Sequence, residues 1–374
     1  MTILAGARVV TPRRILNPGW VEVEHGRITY ADEGFPAEGS SDVVDLSGHW
    51  LLPGFIDLHM HGGGGADVTQ GADDMAAAVA FHRSHGTTTT LVSLMAQPVE
   101  AMCAQLEWAA ELSRAGEIAG VHLEGPFLSA ARCGAQRPES LLMPDGPVLR
   151  KLLDAGQGCV RTMTIAPELP GALDLIADLV ASNVVAAVGH TDATYAEATA
   201  GFAAGATLAT HLFNAMRAFR HREPGGSIAA LDAGVHVEMV NDGVHVHDSL
   251  IRLVGRSAPR ALAFITDAIS ATGVGDGEYT LGEQSVVVRD GAARLASSES
   301  LAGSTLTMDE AVRRAVLPVG LPIEVASGAA SGNPARVLGL GDITGAIAAG
   351  QEADLVVLTD DLTVARVMRR GQWL

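Results

Sequence analysis

The chain is poor in lysine, in paired cysteines and in long apolar runs. Lys151 is the sole lysine among 374 residues, so every other basic side chain is an arginine or a histidine. Cys103, Cys133 and Cys159 make an odd number with no CxxC spacing. A disulfide framework is therefore not expected, and a reducing cytoplasm is the default location. No stretch reaches the ~18 apolar residues that a membrane span requires. The opening MTILAGARVVTPRR lacks the basic start and apolar core of a secretory signal. Positive charge is also scarce: 25 Lys and Arg face 43 Asp and Glu, a formal net charge of −18. Such a field disfavours nucleic acid and anionic membranes as partners. An anionic substrate would need a local cationic pocket to overcome it.

Hydrophobic residues make up 48% of the chain, enough for a large core. The length suits one barrel of ~250 residues plus a smaller module. Residues 1–50 read as β-structure. VEVEHGRITYA alternates apolar and polar residues across His25-Gly26, a hairpin pattern. The C-terminus has the same texture, with ADLVVL as a strand and VARVMRRGQWL as a hairpin around Arg370-Gly371. Neither end alone has enough strands to bury a face. The two are expected to combine, 1–50 with 345–374, into a small β-sandwich around a barrel of 51–344.

Between the ends, strands alternate with helices. FIDLHMH, TTTLVSL, IAGVHLEGPF, VRTMTIAPE, VVAAVGHT, LATHLF, HVEMVND and LAFITDA are eight strand candidates. Patterns such as DDMAAAVAFHRSHG, EAMCAQLEWAAELSRA, ALDLIADLVASN and AEATAGFAAGA read as helices between them. Continuous apolar strands in β–α order predict a parallel (β/α)8 barrel, a TIM-like α/β fold. After the eighth strand, SVVVRDGAARLA predicts a hairpin turning at Asp290-Gly291.

The polar residues on these strands carry the chemistry. In GFIDLHMHGGGG, His59 and His61 close the first strand and, by the period of two, face the same way. Glu124 ends the third strand, His190 the fifth, His211 the sixth and Asp267 the eighth. All six fall at the carboxyl ends, where barrel enzymes build their sites. Any one alone reads as a packed histidine or a capping acid; six at one end of a barrel predict a metal centre. Imidazole and carboxylate together suit zinc or iron. His122 shares a face with Glu124 one layer deeper and is expected to pack inside the barrel. His82 and His85, on a helix, are expected at the surface. Gly62 to Gly65 are expected to let the backbone pass close to the site. They lack the strand–GxxxxGK[ST]–helix context of a nucleotide loop.

PGFIDLHMHG, HLEGPF, GHTDA, THLFNAM, REPG, NDGVH, TDA and LAGSTLTM occur in this order along nearly the whole chain. The set resembles the amidohydrolase superfamily and, within it, the N-acetylglucosamine-6-phosphate deacetylases. The resemblance implies that Glu124, His190 and His211 hold the principal metal ion. It also implies that His59 and His61 form a second position, bridged by Glu124, where other members carry Gln and Asn and use one ion. Zinc comes first as the divalent metal, with iron, manganese, cobalt and cadmium as alternatives. Related enzymes that bridge two metals through a carboxylated lysine are disfavoured, because Lys151 falls in a predicted helix.

By the same resemblance, Asp267 is the general base and then acid, or a second-site ligand, or both. Arg222 is a phosphate-binding arginine that reaches across a homodimer interface, and His245, Asn214, Ala215, Leu301, Ala302 and Gly303 are sugar-contacting positions. Ala135 and Gln136 fall in the loop whose family histidine contacts the acetyl carbonyl. Gln136 is a departure, because an amide donates a hydrogen bond but carries no charge. Cys133 lies in the same loop, as a reactive thiol or an incidental one. The implied reaction is metal-dependent hydrolysis of the N-acetyl group of N-acetylglucosamine 6-phosphate, in amino-sugar catabolism and cell-wall recycling. The N-acetylgalactosamine epimer and other N-acetylated sugar phosphates remain as alternatives. A catalytically silent barrel that senses sugar phosphate is the reading from a different class.

Overall fold

The computed structural model describes residues 1–37 and 42–374. Its centre is a sheet of eight parallel strands. They are β1 (Phe55–Asp57), β2 (Thr87–Met95), β3 (Gly120–Glu124), β4 (Val160–Ile165), β5 (Val185–Val188), β6 (Leu208–Ala209), β7 (His236–Val240) and β8 (Leu262–Ile265). Each pairs with the next in parallel register. Backbone bonds just past the strand ends join first to last: Asp267 N–H donates to His59 O and His61 N–H to Ala268 O, both at 2.8 Å. All eight strands expected from the sequence are present, and the sheet closes into a barrel.

Asp57 reinforces the seam. It is fully buried and accepts a 2.6 Å bond from Thr266 Oγ1 together with the backbone N–H groups of His59 and Thr266. Burial is the dominant influence on its carboxyl and pushes the pKa up to about 6 against these stabilising bonds.

Helices at Ala72–Ser84, Val99–Arg114, Ala172–Ala181 and Tyr195–Ala203 match the four helical patterns. Thr194 and Glu197 start the last of these with a reciprocal capping box, satisfying two N-terminal N–H groups. Lys151 lies in the helix Gly146–Gly156, exposed and paired with Glu100 at 2.6 Å. Strand side chains such as Met239, Val240, Phe264 and Ile265 are fully buried. Each contributes roughly 1.5–3 kcal/mol by leaving water.

The two chain ends share one eight-stranded sheet. Trp50–Pro53 lies between Leu355–Leu358 and Thr2–Val10 and joins the N- and C-terminal segments. Its core is built from both, including Leu4, Val9, Val21, Leu51, Leu355, Val357 and Met368. The predicted turns are there: His25-Gly26, Arg370-Gly371 and Asp290-Gly291 all take positive φ between antiparallel strands. Those conformations follow the right-handed twist of a two-residue hairpin. Among the described residues, no helix is long and apolar enough to cross a membrane.

One expectation fails here. His82 is 1% exposed, not a surface residue. Its Nε2 meets Gly62 O at 2.9 Å, so the ring pins the glycine loop after β1 to the helix outside it. The loop runs close to its neighbours: a Cβ on Gly63 would stand 2.6 Å from that ring. His85 is half-buried and faces Asp309 at 3.2 Å.

Candidate metal centre and active-site cavity

Every predicted ligand stands at the carboxyl end of its strand. Glu124 is the last residue of β3; His59, His190, His211 and Asp267 each follow the end of their strand by two residues. Three of them hold left-handed backbone, with φ of 45° at His190, 29° at His211 and 51° at Asp267. For residues with a Cβ this is sparsely populated and costs ~1–3 kcal/mol each. The surrounding barrel enforces it.

The ligand atoms converge in two groups that share one carboxylate: Glu124 with His190 and His211, and Glu124 with His59 and His61. Glu124 Oε1 lies 2.9 Å from His190 Nε2 and 3.1 Å from His211 Nε2. Its Oε2 lies 3.3 Å from His61 Nε2. Asp267 Oδ1 is 3.5 Å from His59 Nε2 and 3.4 Å from His61 Nε2, on the side of the second group. Every one of these side chains is buried.

The hydrogen bonds on the far side of each ring decide what the near side offers. His61 Nδ1 faces Ser93 O at 3.1 Å, His190 Nδ1 faces Arg132 O at 2.9 Å, and His59 Nδ1 faces a Glu238 oxygen at 3.4 Å. These partners accept, so each Nδ1 is placed to donate outward and each Nε2 is directed into the cluster. Yet His59 Nε2 and His61 Nε2 stand 3.0 Å apart, and His190 Nε2 stands 3.1 Å from His211 Nε2. Nitrogens crowded onto one another and onto a carboxylate repel unless positive charge, as protons or a metal ion, lies among them. A donor set of imidazole and carboxylate with fixed outer partners fits a divalent metal ion.

The acid–base balance carries the same demand for a cation. Burial opposes protonation of His59 and His61, but the Glu124 and Asp267 carboxylates outweigh it: His59 is raised well above its ordinary value and His61 to about 9. Burial likewise works against ionisation of Glu124 and Asp267, yet the surrounding histidines hold both well below the usual carboxylate range. His122 behaves differently. Burial first, and the neighbouring His59 charge second, depress it well below its ordinary value. It sits beneath His59, ring centroids 4.4 Å apart, bonded to Ser93 Oγ and Thr164 Oγ1. It packs inside the barrel, as expected.

Above the ligands opens a cavity of about 280 Å³. Ala135, Gln136, Asn214, Ala215, His245, Leu301 and Gly303 line it with His61, Glu124, His190, His211 and Asp267. Ala302 does not; its side chain is buried in a satellite apolar cluster with Ile269 and Leu295. Arg222 also lies outside the cavity wall. It sits exposed with His221 at the tip of a tight turn closed by Arg220 and Glu223, and has no ionic partner among the described residues. No arginine or lysine of the described residues lines the cavity.

Several site residues were not foreseen in the sequence. Asp242 Oδ2 accepts from His245 Nδ1 at 2.7 Å, fixing that ring with Nε2 3.9 Å from Asp267 Oδ2. Burial opposes a charge on His245, but Asp242 outweighs it and raises the pKa. Ser93, Glu238 and the cavity-lining Met95, Gly134, Leu281 and Ser300 complete the surroundings. The sequence signal for Asp242 was its place in NDGVH, three residues before His245.

Residues 50–374 match the Amidohydrolase family. The N-acetylglucosamine-6-phosphate deacetylase of Bos taurus is 36% identical over 374 residues, covering 96% of this chain and 89% of its own. The N-acetylgalactosamine-6-phosphate deacetylase of Escherichia coli O157:H7 is 35% identical, covering 97% and 98%. The crystal structure of N-acetyl-D-glucosamine-6-phosphate deacetylase from Mycobacterium smegmatis superposes with a TM-score of 0.96 at 45% identity, covering all of both chains. An aspartate-to-alanine variant of that enzyme, in complex with N-acetyl-D-glucosamine-6-phosphate, superposes equally well.

Proposed function

This chain belongs to the amidohydrolase family, and from that membership and the geometry of its site we propose that it removes the acetyl group from N-acetyl-D-glucosamine 6-phosphate. The products are D-glucosamine 6-phosphate and acetate. The observation that carries the reading is the double ligand group sharing Glu124, set under a cavity wide enough for a small polar ligand. Glu124, His190 and His211 would hold the principal ion; His59, His61 and Glu124, with Asp267 beside them, would hold a second. Bound there, a divalent ion would lower the pKa of water from 15.7 to about 7 and polarise a carbonyl. Zinc is the first candidate by donor type.

The chain's own residues do the rest. Asp267 faces the cavity as a carboxylate and takes the proton of the attacking water. It then returns that proton to the leaving amine nitrogen, as general base and general acid in turn. His245, fixed by Asp242, presents Nε2 beside it to a substrate hydroxyl. Asn214, Ala215 and the Leu301–Gly303 segment bound the sugar. A phosphate dianion needs cationic partners, and no arginine of the described residues stands in the chain's own cavity wall. Arg222, exposed on its turn, therefore serves the neighbouring active site of a homodimer. The enzyme works in the cytoplasm, in amino-sugar catabolism and cell-wall recycling, with the terminal β-module of 1–50 and 345–374 bracing the barrel of 51–344.

The galactosamine epimer is the second reading, favoured by the 35% identical relative named for it. The test is acetate release by metal-replete protein from N-acetylglucosamine 6-phosphate, its galactosamine epimer and unphosphorylated N-acetylglucosamine. A strong preference for the glucosamine phosphate is expected. Faster turnover of the epimer would move the assignment, and equal rates on the unphosphorylated sugar would remove the phosphate pocket from it.

A further inference from the structure

Glu238 lies in the middle of β7, 1% exposed, with nothing in the catalytic scheme to do. Its Oε2 touches both halves of the metal centre. It faces His59 Nδ1 at 3.4 Å and accepts from the backbone N–H of His211, also at 3.4 Å. These two residues belong to different ligand groups. Among the described residues, His59 is the only ionisable side chain within ion-pair distance of Glu238.

A carboxylate in a barrel interior is costly unless it is paired. Here the pairing must come through His59, whose other nitrogen points at the second ligand group. Among the described residues, no other histidine of the centre has an acidic outer partner. His61 and His190 face backbone carbonyls, and His211 Nδ1 has no hydrogen-bond partner among the described residues. A carbonyl is enough to fix a tautomer. A carboxylate also makes the ring a stronger donor to whatever its far nitrogen binds. Among the described residues, the one acidic outer partner in the centre thus stands at the second position, not the principal one.

We propose that Glu238 is a positioning residue that secures the second metal position. It faces His59 Nδ1 and so orients the ring with Nε2 beside His61 and Glu124, and it ties that ring to the His211 backbone of the first group. The proposal rests on the two-ion reading above. It implies that the second ion is retained through purification and not picked up only from excess metal.

The test compares Glu238→Gln and Glu238→Leu with the unaltered chain. The glutamine keeps an acceptor of the same size without the charge; the leucine removes both. Metal content per chain is measured after gel filtration, and cobalt(II) is titrated into chelator-treated protein while its visible absorption is followed. Circular dichroism and the Tm of the metal-free proteins report folding. The unaltered chain is expected to keep two ions. Glu238→Gln should bind both but hold the second about 10–100-fold more weakly. Glu238→Leu should keep one, with the first cobalt site unchanged. Two ions held at unaltered affinity in both variants would overturn the role of Glu238 and leave the two-ion reading standing. Equal weakening of both sites in well-folded variants would also overturn it, as a general structural effect. A single ion in the unaltered chain would overturn the two-ion reading and this inference together.

Discussion

Gln136 donates from Nε2 to Glu124 Oε2 at 2.8 Å, while its own Oε1 accepts from the Ala96 N–H at 2.9 Å. The second bond fixes which way round the amide sits, so the donor end can only face the shared carboxylate. The family resemblance led to a contact with the acetyl carbonyl at this position. Here the side chain is 2% exposed and turned onto Glu124 instead. Its first effect is to hold the oxygen nearer His61, leaving the other to His190 and His211. Gln136→Ala should therefore lower kcat about tenfold while KM for the sugar phosphate changes little. It should also cost about 1–3 kcal/mol of stability, because two buried polar groups lose a partner. Steady-state kinetics separate the cases: a raised KM at unchanged kcat would return Gln136 to a substrate contact.

Asp267 stands between the two demands placed on it. Its Oδ1 lies toward His59 and His61, and its Oδ2 toward His245. Replacement by Asn keeps the shape and removes the proposed base. Asp267→Asn should lower kcat by about 10²–10⁴-fold. Calorimetric affinity for the sugar phosphate should stay within a few-fold, because the proposed phosphate contact, Arg222, lies outside the cavity wall that Asp267 lines. Parallel loss of turnover and binding would refute that division of labour.

The barrel was legible from period, and so was the rim on which the candidate ligands meet. Apolar runs of strand length, five of them carrying the candidate His, Glu or Asp at the carboxyl end, put those groups on one rim without any knowledge of pairing. What supports the ligands was not legible. Glu238 serves His59 across 179 residues of sequence, and Ser93 serves His61 across 32. Neither residue stands in a motif. The left-handed φ of His190, His211 and Asp267 also leaves no mark, since nothing about a histidine or an aspartate announces it. His82 was misread for a related reason. Its helix, ADDMAAAVAFHRS, is alanine-rich and shows no clear apolar stripe, so a polar ring looked external when it faces inward to Gly62.

Gly303 stands under Asp267 at φ +64°, a conformation that disfavours any residue with a Cβ. An added methyl would meet Ile269 Cγ2 at 2.6 Å and Asp267 O at 2.7 Å, and would stand 3.6 Å from the Asp267 carboxylate. The backbone there is already committed, because Asp267 O accepts from Ser304 N–H at 2.7 Å. Gly303→Ala is expected to lose about 2–4 kcal/mol of stability, from the left-handed conformation and the overpacking together. The remaining folded protein should turn over at least about tenfold more slowly, since Asp267 must move. A thermal melt and an activity measured per folded molecule check the two parts. An unchanged Tm would mean that the 267–269 loop yields more freely than its hydrogen bonds suggest.

His82 offers a pH test away from the metal ligands. Burial dominates its titration and lowers the pKa to about 4 from 6.5, against the bond to Gly62 O. The folded state therefore prefers the neutral ring, and the unfolded chain takes up the proton first as pH falls. Stability from this group is complete above pH 6.5 and is lost progressively between pH 6.5 and about 4, amounting to about 3 kcal/mol. Asp57 runs the other way: its raised pKa favours the folded state as its carboxyl protonates below about 6. The whole protein's pH profile mixes the two, so a difference measurement is needed. Relative to His82→Gln, which keeps a donor toward Gly62 but cannot titrate, the unaltered chain should lose Tm as the buffer moves from pH 7 to pH 4. The gap between the two curves isolates the histidine. Parallel curves would show that the ring reaches water before the barrel opens, and that the helix Ala72–Ser84 parts from the glycine loop as a local event.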